Sequence, residues 1–170
     1  ENLGLKEAML FGTAGFTAML AIYKMQQLLA VKNPRILVTG ASGGVGSILM
    51  AILSEEYAQI SVTTRSQSKN EAYLQKLGAD NIIYQEEFQE MKNDKALYPR
   101  RWDVIIDNLG GRQLSGLVKS IDYHGLFISC GNILGSEFNM NLFPYILRGV
   151  SMIGITSANT SQIQTFIEID

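Results

Sequence analysis

Cysteine and histidine occur once each, at Cys130 and His124, in a chain of 170 residues. One thiol excludes an internal disulfide framework. One cysteine with one histidine cannot close a tetrahedral structural zinc site, which usually takes at least two such ligands. Charge of one sign is also lacking. Lys and Arg total 14 against 16 Asp and Glu, for a net charge of -2 and a pI near 5.5. Nothing there has the basic footprint of a nucleic-acid binder. No apolar run reaches the roughly 18 residues of a membrane span, and no signal peptide pattern is visible, so a cytoplasmic location is expected. Hydrophobic residues make up 46% and charged residues 18%, which excludes disordered and fibrous classes. A chain of this length suits one domain with roughly two-thirds of its unfolded surface buried.

Glu1 is not an initiator methionine, and the chain stops at Asp170 on a helix-like stretch. The expectation is a piece of a longer protein, with residues 1–170 forming one domain.

Periodicity predicts an alternation of helices and strands. Met9, Phe16, Met19, Leu20, Tyr23 and Leu28 recur at helical spacing over 5–28, interrupted near Gly12 and Gly15. Ile36–Val38 reads as a buried strand, followed by a glycine loop at 40–46 and a helix over Ser47–Ser54. Then come a strand at 59–64, a helix at 70–77 capped by Gly78, a strand at 81–84, a short helix at 88–92 and a strand at 104–107. A helix at 113–121, a strand at 125–130, a turn at 145–148 and a strand at 150–156 complete the pattern. Such alternation implies right-handed crossovers and an α/β, Rossmann-type doubly wound parallel sheet of six strands, covered by helices on both faces.

The informative stretch is Val38-Thr39-Gly40-Ala41-Ser42-Gly43-Gly44-Val45-Gly46. It lies where the first strand turns into a crossover helix, the place where exposed helix N–H groups make an anion site. Gly40 permits the tight turn, Gly43 or Gly44 lets a pyrophosphate approach the backbone, and Gly46 allows close helix–strand packing. Ser42 adds a hydroxyl. A kinase-type P-loop is excluded, because no Gly-Lys-Ser/Thr follows. In NAD-preferring sites a carboxylate lies about 20 residues on, at the end of the second strand. Here that strand ends Thr63-Thr64-Arg65-Ser66, with Glu71 already in the next helix. A guanidinium flanked by hydroxyls is chemistry for a 2′-phosphate, so NADPH is the expected cofactor.

Thr39-Gly40 with Gly44 and Gly46 also fits the short-chain dehydrogenase loop. Those enzymes need a Tyr-x-x-x-Lys pair. None of the seven tyrosines is followed by lysine four positions on; the residues there are Gln27, Ser61, Leu77, Phe88, Trp102, Phe127 and Gly149.

Four stretches together resemble the nucleotide-binding half of a medium-chain dehydrogenase/reductase. They are Ala8-Met9 through Gly12–Met19, Val38–Ser47, Tyr73-Leu74 with Leu77-Gly78-Ala79, and Pro144–Val150. Within that superfamily they resemble the zinc-free, quinone-oxidoreductase-like branch that includes acrylyl-CoA reductases of the YhdH/YhfP type. The resemblance implies a connector helix over 1–30 and a GroES-like catalytic domain outside this chain. It also implies cofactor contacts. Ser42, Gly43, Gly44 and Val45 hold the pyrophosphate, and Thr63, Thr64 and Arg65 hold the adenosine ribose and its 2′-phosphate. Thr64 stands where relatives often carry glycine, which narrows the phosphate pocket. Gln85 stands where many carry arginine, toward the adenosine end. Leu109 lies near the nicotinamide-side ribose, and Asn132 and Thr156 at the nicotinamide end, with Thr13 and Thr17 at the mouth. A homodimer joined through the edge of the sixth strand is implied as well.

Elsewhere the plainer readings prevail. Cys130 is expected as a small residue on the pocket floor, since a reactive thiol needs a neighbouring base or cation. His124 reads as a turn residue, Asp107 as a group that positions Asn108 or caps a helix, and 92–101 as a solvated loop. The expected function is hydride transfer from NADPH to an activated alkene, either an enoyl thioester or a quinone-like enone. The substrate is a small molecule, no metal takes part, and no catalytic residue is assigned on this chain. The alternative is a non-catalytic NAD(P)H-sensing module.

Overall fold

The computed structural model describes residues 4–65, 70–84, 87 and 95–158. Its elements are α1 (Leu5–Leu28), β1 (Ile36–Val38), α2 (Gly44–Glu56), β2 (Ile60–Thr64), α3 (Glu71–Lys76) and β3 (Asn81–Tyr84), then β4 (Trp102–Asp107), α4 (Leu114–Val118), β5 (Ile121–Ser129), α5 (Phe143–Arg148) and β6 (Ser151–Gly154). The six strands form one sheet in the order β3-β2-β1-β4-β5-β6, every pairing parallel. The sequence pattern predicts this architecture. The helix expected at 88–92 lies outside the described residues.

Side chains alternate across the sheet and divide the core in two. Ile36 and Val38 of β1 face the layer of α1, α2 and α3, together with Val62, Val104, Ile106 and Ile128. Leu37, Ile105 and Phe127 face the other way, against Leu114, Leu117 and Val118 of α4. Both faces are covered, so β1 carries no polar residue and all three of its positions are buried.

Some boundaries differ from the periodic pattern. The helix after the glycine loop begins at Gly44, not Ser47, so part of the loop is already its first turn. α4 is shorter than expected, because Ser120 turns the chain back with its amide and hydroxyl both donating to Leu117 O. β5 therefore starts at Ile121, opposite Trp102. The register then slips before Leu126 pairs with Val104. His124, expected in a turn, instead lies within β5 at this irregularity, with φ 56. α1 is interrupted at Gly12 (φ 45, ψ -148), and the expected turn at 145–148 is the helix α5.

The N-terminal ends of the strands are locked by charge. Arg35 donates through Nε and Nη2 to Asp103, at 3.0 and 2.9 Å, and through Nη2 to Asp122 at 2.6 Å. Arg148 is buried and donates to the carbonyls of Tyr98, Lys119 and Ile121. Lys119 Nζ donates to Lys95 O at 2.6 Å. The described part of the segment read as a solvated loop, 95–101, is thus held to Lys119, Ser120 and Arg148 by hydrogen bonds, while much of it stays exposed.

Candidate functional site

The strand order reverses at β1, whose sheet neighbours β2 and β4 lie on opposite sides of it. In open α/β sheets the ligand crevice lies beyond the carboxyl ends of the strands at such a switch point. A cleft of about 300 Å³ opens there. Its floor and one wall come from Thr39, Gly40, Ser42 and Gly43 after β1; Thr63, Thr64 and Arg65 end β2. Leu109 after β4 and Ile133 after β5 close the other side.

The glycine loop is built by contact. A Cβ on Gly46 would lie 2.3 Å from Gly40 O and 2.6 Å from Ala41 Cα, so only a bare α-carbon lets α2 start this close to β1. Gly40 itself has φ +62. Gly43, the N-cap of α2, supplies no side-chain cap, and no acidic residue occupies the first turn. The leading amides of α2 therefore have no intrahelical acceptor and carry the positive end of the helix dipole. Ser42, Gly43 and Gly44 are exposed around them. Ala14 of α1 backs the loop; a Cβ on Gly44 would pass 3.7 Å from its Cβ.

Arg65 is exposed and, among the described residues, is the one charged side chain that lines the cleft. Thr63 and Thr64 beside it are buried, and Thr63 Oγ1 has no hydrogen-bond partner among the described residues. A dinucleotide fits these donors: bare amides for a diphosphate, and a guanidinium with hydroxyls for a phosphorylated ribose.

Of the residues expected from sequence, Ser42, Gly43, Thr63, Thr64, Arg65 and Leu109 line the cleft. Gly44 and Val45 form the first turn of α2 beside it. Asn132 precedes the lining residue Ile133 but does not line the cleft itself, and neither does Thr156, which is exposed beyond β6. Thr17 is buried, its hydroxyl donating to Thr13 O, and neither threonine lines the cleft. Ser66 and Gln85 lie outside the described residues. Four lining residues escaped the sequence reading: Asn70, Gln113, Leu117 and Ile133. Asn70 and Gln113 are the N-cap residues of α3 and α4, and a helix that starts just past a strand's carboxyl end is aimed at the crevice. That signal was present in the sequence.

Cys130 does not form the pocket floor. It is half-buried against the core, and burial, then the neighbouring Asp107 charge, push its thiol up to about 12. The thiol stays protonated at neutral pH and is no nucleophile. Asp107 is fully buried, and burial raises it above the usual carboxylate range. The Thr39 hydroxyl and the amides of Gly110 and Leu109 partly offset this. Among the described residues, no three His, Cys, Asp or Glu side chains come together as a metal site, and no helix is long and apolar enough to cross a membrane.

Residues 44–169 match the family model described as zinc-binding dehydrogenase. YhfP of Bacillus subtilis is 39% identical over 158 residues, covering 92% of this chain and 47% of YhfP. The acrylyl-CoA reductase AcuI of Ruegeria pomeroyi is 36% identical over 159 residues, covering 92% of this chain and 47% of AcuI. The crystal structure of YhfP with NAD bound superposes with a TM-score of 0.87 at 35% identity, over 98% of this chain and 51% of that one. That of Escherichia coli YhdH with bound NADPH also gives 0.87, at 32% identity, over 96% of this chain and 51% of that one. The chain spans about half the length of the curated relatives it matches.

Proposed function

The chain belongs to the zinc-binding dehydrogenase family, and we propose that it is the cofactor-binding part of an NADPH-dependent reductase acting on an activated alkene. The substrate class is an enoyl thioester of the acrylyl-CoA kind, or a quinone or enone. One observation carries this reading: the uncapped first turn of α2 opens into a cleft whose one charged lining residue, among the described residues, is Arg65. Similarity to the acrylyl-CoA reductase AcuI and to NADPH-bound YhdH supports it.

When bound, the nicotinamide supplies a hydride; the protein binds, orients and excludes water. The amides of Gly44 and Val45, with Ser42, hold the diphosphate. Thr63, Thr64 and Arg65 hold the adenosine ribose and select its 2′-phosphate. Ser66 and Gln85 extend that end, and Leu109, Asn132 and Thr156 serve the nicotinamide end. YhfP holds NAD, but no carboxylate stands in this chain at the end of β2, so NADPH is preferred here. The reaction draws on no metal held by this chain. The domain assignment follows: 1–30 connects to a GroES-like catalytic domain that supplies proton delivery and substrate recognition. A lone unpaired thiol suits the cytoplasm.

A homodimer through β6 belongs to the same reading. β6 is an edge strand, and Met152, Phe143, Ile146 and Leu147 form an exposed apolar skirt beside it. Ile155 N bonds back to Ser129 O. Strand amides alternate sides, so those of Met152 and Gly154 point outward, available to a second copy. Met152→Pro removes an outward donor without breaking the β5–β6 ladder; a monomer by light scattering is expected, and an unchanged dimer contradicts edge pairing.

Turnover tests the activity. The full-length protein is expected to oxidise NADPH with acrylyl-CoA or a quinone. A full-length protein that binds NADPH but reduces neither is a sensor, and the enzymatic reading fails.

A further inference from the structure

The strongest unassigned feature is a buried hydrogen-bond hub at the end of β4. Thr39 Oγ1 donates to Asp107 Oδ1 at 2.5 Å. The same hydroxyl oxygen accepts the Asn108 amide at 3.0 Å, and Asn108 Nδ2 donates to Thr39 O at 2.8 Å. Asp107 Oδ2 accepts the Gly110 amide at 2.8 Å, and Oδ1 accepts the Leu109 amide at 3.4 Å. One carboxylate therefore ties the residue that opens the glycine loop to the turn after β4.

That turn is tied in its own right to the loop after β5. Leu134 N donates to Leu109 O at 2.7 Å. The two loops meet backbone to backbone, because a Cβ on Gly110 would lie 2.4 Å from Gly135 O and 2.8 Å from Asn132 Cα. Cys130 N donates to Asp107 O at 2.7 Å. Asp107 is 0% and Thr39 1% exposed. Neither carboxylate oxygen reaches solvent, so Asp107 acts on a ligand only through what it holds.

We propose that Asp107, through Thr39, is a positioning residue that fixes the diphosphate loop against the two loops at the other end of the cleft. It sets the distance between the two halves of a bound dinucleotide. This rests on the cofactor reading above. A rigid span lets both halves bind at once without ordering the loops on binding. Loosening it costs the coupling between halves and leaves each half-site intact.

The test compares the whole cofactor with one half of it. Wild type, Thr39→Val, Thr39→Ser and Asp107→Asn full-length proteins are titrated by calorimetry with NADPH and with 2′,5′-ADP. The enhancement of bound NADPH fluorescence reports the nicotinamide end. Thr39→Val deletes the relay hydroxyl at nearly constant shape, and Thr39→Ser restores it. The expected result for Thr39→Val and Asp107→Asn is about tenfold weaker NADPH binding, the effect of one hydrogen bond to a buried carboxylate. The 2′,5′-ADP affinity stays within about twofold, and the fluorescence enhancement falls. Thr39→Ser recovers all three. Should Asp107→Asn not fold, the Thr39 pair decides alone. Equal loss for both ligands, or no loss for either, overturns the positioning role while leaving the cofactor reading in place. A wild type that binds neither ligand overturns the cofactor reading, and this inference with it.

Discussion

The two ends of the sheet are built on opposite terms. At the N-terminal end, full charges meet full charges or carbonyls: Arg35 pairs with Asp103 and Asp122, Arg100 reaches Asp122 at 3.3 Å, and Arg148 is spent on three carbonyls. At the C-terminal end, donors are left unspent: the first turn of α2 has no side-chain cap, Thr63 Oγ1 has no partner among the described residues, and Arg65 stands exposed in the cleft. A fold satisfies its polar groups where it needs only stability. Trp102 Nε1, at the start of β4, is a buried donor without a partner among the described residues too, so the contrast rests on the uncapped turn and the exposed guanidinium, which open into the cleft where a ligand completes the set. The buried carboxylate at that end, Asp107, is held by a hydroxyl and amides, whereas the carboxylates at the other end are held by guanidinium groups.

Substitutions at the two ends should separate stability from binding. The largest effect is expected from Gly46→Val, whose branched side chain has to displace the backbone of Gly40 and Ala41. A loss of about 3 kcal/mol in urea unfolding, with NADPH binding abolished, is expected. Arg65→Ala comes next. NADPH affinity falls roughly ten- to a hundredfold while NADH affinity and the unfolding midpoint hold, since only a phosphate contact is removed. Arg35→Ala does the reverse. It leaves Asp103 without its guanidinium and Asp122 with Arg100 alone, but Arg35 is itself a third exposed, so screening limits the cost to about 1–2 kcal/mol, with the NADPH dissociation constant unmoved. A binding loss there would erase the distinction between the ends.

Smaller effects sharpen the contrast. Thr63→Val removes an unpaired buried hydroxyl, so the free protein gains up to about 1 kcal/mol, while NADPH binds more weakly. The pH dependence should also divide. Asp107 is raised by burial, so the folded state holds its proton more tightly than the unfolded chain does. Its stabilising contribution is complete below the ordinary carboxylate pKa and is lost as pH rises through the raised value. Asp122 is lowered: burial opposes this, but the Tyr123 amide, Arg35 and Arg100 outweigh it. Its contribution is present above the ordinary value and is lost as pH falls through the lowered one. Denaturant titrations from about pH 3 upward should show Asp107→Asn flattening the loss on the rising side and Asp122→Asn the loss on the acid side.

The strands and the glycine loop were legible because they rest on local pattern: apolar runs at Ile36–Val38 and Val104–Asp107, and four glycines in seven positions. The cleft-lining residues after β1 and β2 followed from their place at strand ends. What stayed hidden depends on partners distant in sequence. Asp107 and Thr39 are 68 residues apart, and no local pattern announces their bond. Arg148 lies in an expected turn, and the three carbonyls that close around it come from residues 27 to 50 positions away. The slip in β5 was invisible because Asp122-Tyr123-His124 looks like a turn, whereas the chain re-enters the sheet on both sides of it. Cys130 was misplaced for a similar reason, since a residue ending a strand can face either the cleft or the core.

If the bare amides at the start of α2 grip the diphosphate, they are the groups that a bound dinucleotide moves most. Amide ¹H–¹⁵N spectra of the protein titrated with NADPH test it most directly. The account predicts that the largest shifts fall on Gly43, Gly44, Val45 and Gly46, and that inorganic pyrophosphate alone moves the same amides. Saturable binding that leaves those four unmoved, with the shifts concentrated elsewhere, would contradict it.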